Sequence, residues 1–414
     1  MKRLPFVILL AILIGCDDDN NISPGETIFT FSVPNEGVFP GYDYWIILHD
    51  NESGELIDSK QITVGAEPTS FTTDKAISDN LIITYIRYDD PFDVRIWVYN
   101  EVPVGKTWSA SYPFESGVAV ERTQQEHSFV INNVPSMYGF AMSDLFGWNG
   151  EDPAWHHDGQ ITGFFNFRKG GVKQMMVVDD GTINPKYSFI DNPTSGDVTI
   201  DYNTMTAFDK YLDISFPEMS SPEIEVRVEA YDPDQNPVNS YLFYEWFGGG
   251  FYEKRNSVKL GLLNEIEFYK AKMKFGYFNF ESMGAAPSKV DYIDKDNFSF
   301  DQTIPTNFSL TTLLDYTYAR SLYLYSTDDG NGIFTSYQLL YHTTPSSPKQ
   351  IDTLTPELKD KLEVSMQRFP LTNIDIHFWK GRNYMEAISF GFDPEYDYAK
   401  PVEHSWVSLW HSNF

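Results

Sequence analysis

Alternation with a period of two dominates the chain. In DVRIWVYN, Val94, Ile96 and Val98 alternate with Arg95, Trp97 and Tyr99; in IEVRVEAY, Ile224, Val226, Val228 and Ala230 alternate with Glu225, Arg227, Glu229 and Tyr231. In NIDIHFW, Ile374, Ile376 and Phe378 alternate with Asn373, Asp375, His377 and Trp379. Successive side chains of a strand point to opposite faces, so each stretch reads as a strand with one face on a core and the other toward solvent. YWIILHD (44–50) and NLIITYIRY (80–88) are apolar on both faces and read as central strands covered on two sides. FFNFRKGGVKQMMVV predicts a hairpin turning at Lys169-Gly170-Gly171. A unit of strand, acidic turn and strand recurs in WIILHDNESGELID, VRVEAYDPDQNPVNSY and SLYLYSTDDGNGIFTSY, the signature of hairpins with turn-forming residues between them.

Helix is scarce. In TPELKDKLEVSM, Thr355 can cap, Pro356 suits the first helical position, and Leu358, Leu362 and Met366 share one face, so a short helix is expected near 355–367. LTTLLDYTYA (310–319) is a second helical candidate. Polar turns every 8 to 12 residues between strands predict an all-β protein of tandem immunoglobulin-like β-sandwich domains with few short helices. The expected segments are a β-sandwich over 28–115, a second β-rich domain over 116–215 and a third over 216–414 that holds the helix.

Composition sharpens this picture. Apolar residues make up 42% of the 414 and charged residues 21%, the balance of a folded protein. Aromatic residues reach 16%, which suits strands and core layers as well as surfaces that bind glycans or proteins. The net charge of −29 opposes a phosphate backbone and argues against nucleic acid as a partner. The acids are scattered, so solubility accounts for them.

The N-terminus departs from the rest. Lys2 and Arg3 precede an apolar run, Leu4 to Ile14, that is too short to span a bilayer and matches a secretory signal peptide over 1–15. Leu13-Ile14-Gly15-Cys16 follows, containing the one cysteine of the chain, with Asp17-Asp18-Asp19 after it. LIGC resembles the lipobox of bacterial lipoproteins, and the acidic tract resembles that of surface-exported lipoproteins of the Bacteroidota. The resemblance covers about the first 20 residues. It implies cleavage before Cys16 and acylation of its thiol; the residues after Cys16 up to 27 lack apolar content and contain Pro24-Gly25, so 16–27 reads as a lipidated cysteine on a flexible tether. The protein is then anchored through lipid to the outer membrane, on the cell surface or alternatively on the periplasmic face. With Cys16 lipidated, no disulfide can form within the mature chain.

Chemistry-bearing motifs are few. FGWNGEDPAWHHDGQ (146–160) offers Trp148, Trp155 and His156 as ligand-binding residues, against the alternative of tryptophans folded back as core plugs. Adjacent histidines in extended chain face opposite ways and poorly chelate one metal. Asp232, Asp234 and Asn236 begin like a calcium loop, but Pro237 and Phe243 stand where the turn glycine and bidentate glutamate belong, so a turn is the stronger reading. DNESGE (50–55) reads likewise. GKT (105–107) and GGGFYEKR (248–255) lack phosphate-loop spacing and read as turns. HExxH and GxSxG are absent, and no cofactor is implied. Asp352-Thr353-Leu354 resembles the short O-glycosylation acceptor motif of Bacteroidota. The expected function is a non-catalytic binding or adhesion module for a glycan or protein. The alternatives are a structural accessory subunit of an envelope transport or secretion complex, and a carboxylate-dependent glycoside hydrolase.

Overall fold

A computed structural model describes residues 25–410 apart from 36–40, 90–91, 111–121, 137–138, 145–146, 149–154, 169–173, 182–183, 191–196, 221–222, 231–241, 246–253, 286–288, 303, 329, 331–333, 390–391 and 393–401. Strands β1 (Thr27–Ser32), β2 (Asp43–Asp50), β3 (Leu56–Ile62), β4 (Thr69–Thr72), β5 (Asn80–Asp89), β6 (Asp93–Pro103) and β7 (Lys106–Ser109) come first. They are followed by β8 (Arg122–Asn132), β9 (Gly139–Asp144), β10 (Gly147–Trp148), β11 (Trp155–His157), β12 (Gln160–Arg168), β13 (Gln174–Asp179), β14 (Lys186–Ile190), β15 (Val198–Asp201) and β16 (Thr206–Ala207). Next are β17 (Lys210–Ser220), β18 (Ile224–Ala230), β19 (Leu242–Glu245), β20 (Lys254–Leu262), β21 (Tyr269–Phe275), β22 (Phe278–Gly284), β23 (Phe298–Gln302) and β24 (Ser309–Thr312). The chain ends with β25 (Tyr318–Asp328), β26 (Phe334–Thr343), α1 (Pro356–Leu362), β27 (Leu371–Lys380), α2 (Tyr384–Ile388) and β28 (Val402–Trp410).

The protein is all-β. Its organising element is a twelve-stranded sheet in the order β19-β18-β21-β22-β28-β27-β25-β26-β6-β5-β2-β3. The first seven strands do make a sandwich: β4-β1-β7 lies over β6-β5-β2-β3. Between them Phe29, Phe31, Phe71 and Trp108 pack on Tyr44, Ile46, Leu48, Ile83 and Tyr85. On the other side of the same strands, Trp45, Ile47, Ile82, Ile86, Val94, Ile96 and Val98 enter a second core. This explains the two-sided apolar patterns at 44–50 and 80–88: these strands form the middle of three layers. Each fully buried Val, Leu or Ile there contributes on the order of 1.5–3 kcal/mol.

One finding changes the expected joining of the segments. β6 does not end a domain; it pairs in parallel with β26, from Asp93 against Ser336 to Tyr99 against His342. The 28–115 and 216–414 segments therefore share one sheet rather than standing as separate sandwiches. An apolar edge at Val94, Ile96 and Val98 would otherwise present unpaired N–H and C=O groups.

The second segment forms its own sandwich of β10-β9-β13-β14-β16 on β11-β12-β8-β15, filled by Phe129, Ile131, Ile161, Phe165, Met176 and Val178. The hairpin expected at Lys169-Gly170-Gly171 is corrected here: β12 pairs with β8 and β11, whereas β13 lies between β9 and β14 in the opposite sheet. β13 is buried at every position, with Met175 and Val177 in the main core and Met176 and Val178 in the second. Such a strand requires neighbours on both edges and layers on both faces.

The three expected acidic-turn units are all antiparallel pairs of the long sheet: β2 with β3, β18 with β19, and β25 with β26. In the first, Asp50 accepts hydrogen bonds from the Ser53 and Ser78 N–H groups at 2.7 and 2.6 Å. Burial opposes its charge, but these donors outweigh it and hold the carboxyl at about 2. Helix α1 starts as expected, with Thr355 capping Leu358, but ends at Leu362 because Glu363 takes the left-handed conformation; Met366 opens a separate 3-10 turn. The helix expected over 310–319 is absent: Ser309–Thr312 pairs with Phe298–Gln302, and β25 begins at Tyr318. Adjacent β-branched Thr311 and Thr312 favour the strand. Among the described residues, no helix is long and apolar enough to cross a membrane.

Candidate functional site

The layer β4-β1-β7, with Phe392 and Ile388 near α2, covers the outer face of the long sheet only over its first strands. On β27 and β28 the outer face still buries Asn373, Asp375, His377 and His404, and it becomes exposed at Trp410 and, farther along the sheet, at Glu225, Lys272 and Lys274 of β18 and β21. Strand alternation places on this face Arg320 of β25, Asn373, Asp375, His377 and Trp379 of β27, and His404, Trp406, Ser408 and Trp410 of β28. Register then builds cross-strand rows. One runs Lys274, Asn279, Trp406, His377, Tyr318. The next runs Ser408, Asp375, Arg320, His342, Tyr99. The second row passes from the open face under the edge of the covering layer, so the site is a ledge where one layer stops.

The rings on the ledge stand nearly parallel. Trp379 stacks on His404 at 4.1 Å and His404 on Trp406 at 4.9 Å. Tyr318 stacks on His377 at 4.3 Å, and Tyr99 on His342 at 4.5 Å. His377 Nδ1 and His404 Nε2 are 2.8 Å apart, so one ring donates and the other accepts. Burial pushes His404 down to about 3 and His342 also to about 3; His377 is held well below the ordinary range by burial and then by His404. All three imidazoles are neutral at pH 7. Burial raises the Tyr318 phenol to about 12.

Asp375, 6% exposed at its side chain, anchors the second row. Its Oδ2 accepts from Arg320 Nη2 at 2.6 Å and Nε at 3.2 Å; its Oδ1 accepts from Ser408 Oγ at 2.7 Å and Asn373 Nδ2 at 3.0 Å. Four donors on one carboxylate fix the Arg320 guanidinium in plane, while its side chain remains 39% exposed.

On β28, Trp406 and Trp410 flank Ser408 on one face. Four residues of strand separate them by about 13 Å. Trp406 is half-buried, and Trp410 is 50% exposed. Ser408 between them is small, and beside it on the same face stand the Arg320–Asp375 pair and Asn279, whose amide donates to Ser408 Oγ at 3.4 Å. Two part-exposed tryptophans with planar polar groups between them are the groups that suit a flat, hydroxyl-rich ring.

A recess of about 230 Å³ lies at the end of the same strands. It is lined by Asp315, Thr317, Phe378, Trp379, Lys380, Glu403 and Ser405. Lys380 and Glu403 form an ion pair across β27 and β28.

The residues proposed from sequence lie elsewhere. Trp148 sits on β10 against Ser143, and Trp155 and His156 sit on β11 against Thr162 and Ile161. These strands belong to opposite sheets of the second sandwich, so no single strand pair brings the three together. His157 Nδ1 and Asp158 Oδ2 beside them are 2.9 Å apart on an exposed surface. Cys16, Asp232, Asp234 and Asn236 lie outside the described residues. Thr353 of the glycosylation-like motif is fully buried, which withdraws it from a modifying enzyme in the folded chain. Among the described residues, no group of three or more His, Cys, Asp or Glu is placed to hold a metal ion. Sequence reading identified His377 and Trp379 as the solvent side of NIDIHFW but passed over HSWVSLW. There the alternation of His404, Trp406, Ser408 and Trp410 against Ser405, Val407 and Leu409 carried the signal. The chain matches no family model, no curated protein and no solved structure.

Proposed function

We propose that this protein is a lipid-anchored envelope protein that binds a glycan without transforming it, in the slot between Trp406 and Trp410. The observation that carries this reading is the pair of part-exposed tryptophans on one strand face above a floor of fixed polar groups. Aromatic faces take the apolar side of a sugar ring, and planar amide and guanidinium groups take its hydroxyls. The lipobox at Leu13-Ile14-Gly15-Cys16 supports the anchor, which would hold the sheet near the membrane while leaving its open face in water.

Two measurements test this. Retention of the mature protein on a broad glycan array should be found, and Trp410→Ala should weaken it about tenfold with an unchanged melting midpoint, the loss of one stacking contact of about 1.4 kcal/mol. Retention unaffected by that change, or none on any glycan, removes the reading. Cys16→Ser should move the protein from the membrane fraction to the soluble one and abolish incorporation of labelled palmitate; membrane retention of that variant counts against the anchor.

The hydrolase reading attaches to the recess at the strand ends, where Asp315 and Glu403 accompany Phe378. Release of reducing ends from a retained glycan, lost in Asp315→Asn, would move the function there.

A further inference from the structure

We infer that the glycan taken by the slot is anionic, carrying a carboxylate or sulfate group on its sugar ring; this rests on the glycan reading above. The one carboxylate in the floor of the slot is fully engaged. Both oxygens of Asp375 are engaged by Arg320, Asn373 and Ser408. Glu281, the neighbouring acid on β22, is paired with Lys272 at 3.2 Å. Glu229 is paired with Arg227 at 2.6 Å. On the donor side, Arg320 directs Nε and Nη2 to Asp375, and a guanidinium has a further nitrogen whose N–H groups point away from that fork. The Asn279 amide reaches only long bonds, 3.3 Å to the Tyr277 carbonyl and 3.4 Å to Ser408 Oγ. Lys274 stands exposed in the same row as Asn279 and Trp406.

The charge of this face differs from that of the whole. The chain carries 59 acids against 30 bases. The outer face from β18 to β25 presents Arg227, Lys270, Lys272, Lys274 and Arg320 against Glu225, Glu229, Glu281, Asp328 and Asp375. That is five bases to five acids, with three of each paired to one another, leaving Lys270 and Lys274 beside Glu225 and Asp328. In a protein of net charge −29, a face this close to neutral repels an anionic ring less than the average surface does, and the outward N–H groups of Arg320 together with the exposed Lys274 ammonium supply its hydrogen bonds.

The test is titration of the full mature protein with three soluble polysaccharides of matched length: a polyuronate, a sulfated glycan and a neutral glucan. At low salt the polyuronate or the sulfated glycan should bind at least tenfold more tightly than the glucan, and should weaken severalfold when salt rises from about 0.05 to 0.3 M. Lys274→Ala should weaken anionic binding about threefold and leave any glucan binding unchanged; Trp410→Ala should weaken both. Preference for polyuronate assigns the carboxylate, and preference for the sulfated chain assigns the sulfate. Equal or tighter glucan binding that depends on Trp410 overturns the anionic assignment and leaves the glycan reading standing. Anionic binding that ignores salt and Lys274 also overturns it. Binding to none of the three overturns both.

Discussion

Lowering the pH from 7 to 5 is expected to destabilise this protein by several kcal/mol. Four histidines are held neutral by burial: His342 and His404 near 3, His49 near 4, and His377 well below its ordinary range. In the unfolded chain each titrates near 6.5. A folded pKa below the unfolded one means the unfolded state takes up the protons as pH falls. The stability these rings permit is thus complete above about 6.5 and is lost progressively toward the folded values. Linkage gives about 2 kcal/mol per histidine between pH 7 and 5, and about 7–8 kcal/mol for four. Domains of ordinary stability have about 5–15 kcal/mol in total. Carboxylates remain charged across most of this window, so they contribute little to the change. Urea midpoints measured at pH 7, 6 and 5 should fall steeply. His404→Gln should flatten the slope, because one ring of the 2.8 Å pair with His377 is then removed. A midpoint that shifts by less than the equivalent of about 2 kcal/mol over that range would show that these rings are not kept neutral.

The ledge and the strands around it show how far periodicity reaches. The two-sided apolar runs at 44–50 and 80–88 announced buried central strands, and the structure covers both of their faces. The acidic-turn units announced hairpins, because short-range pairing is encoded in the turn. Which hairpins lie side by side is not encoded locally. β6 joins β26 in parallel across more than two hundred residues, and nothing in DVRIWVYN distinguishes that partner from another. The separation of β12 from β13 has the same origin: their sequences do not say whether they meet in one sheet, and β13, buried at every position, pairs with β9 and β14 instead. α2 carried a readable signal in Asn383 and Glu386, whose reciprocal bonds form a capping box, although the helix spans only five residues.

The candidate site was legible only in halves for a related reason. NIDIHFW showed which residues face outward, but not that Trp406, Ser408 and Arg320 would stand beside them. Loops drew attention at Trp148 and Trp155 because loops commonly carry function. Here the assembled polar surface instead lies on strands, where alternation and register set each position. Its rigidity follows from that placement: Arg320, Asp375 and Ser408 come from three adjacent strands and cannot move independently of the sheet.

Replacing Asp375 with alanine is expected to cost about 3–5 kcal/mol, the second large effect. Removing one partner of a buried pair leaves the other charge uncompensated, and a guanidinium cannot shed its proton to escape. Arg320 would lose both of its bonds to Oδ2, and the Asn373 amide and the Ser408 hydroxyl would lose their acceptor at Oδ1. The exposure of Arg320 lets water reach part of the guanidinium and places the expected loss toward the lower end of the range. Asp375→Asn should fall between alanine and wild type, since an amide oxygen can keep one donor but cannot answer the charge. Replacing both members together, Arg320→Met with Asp375→Leu, removes the uncompensated charge and should recover most of the stability, as hydrophobic substitution of buried pairs does in other proteins. Denaturant unfolding of the two single variants and the double variant forms a cycle whose coupling term measures the pair directly. The recovered double variant should still fail to retain the glycan, because the slot has lost the donors of its floor. A single-variant loss under about 1 kcal/mol would mean that Asp375 does not hold the guanidinium in place, and the fixed floor on which both the glycan slot and its anionic preference depend would go with it.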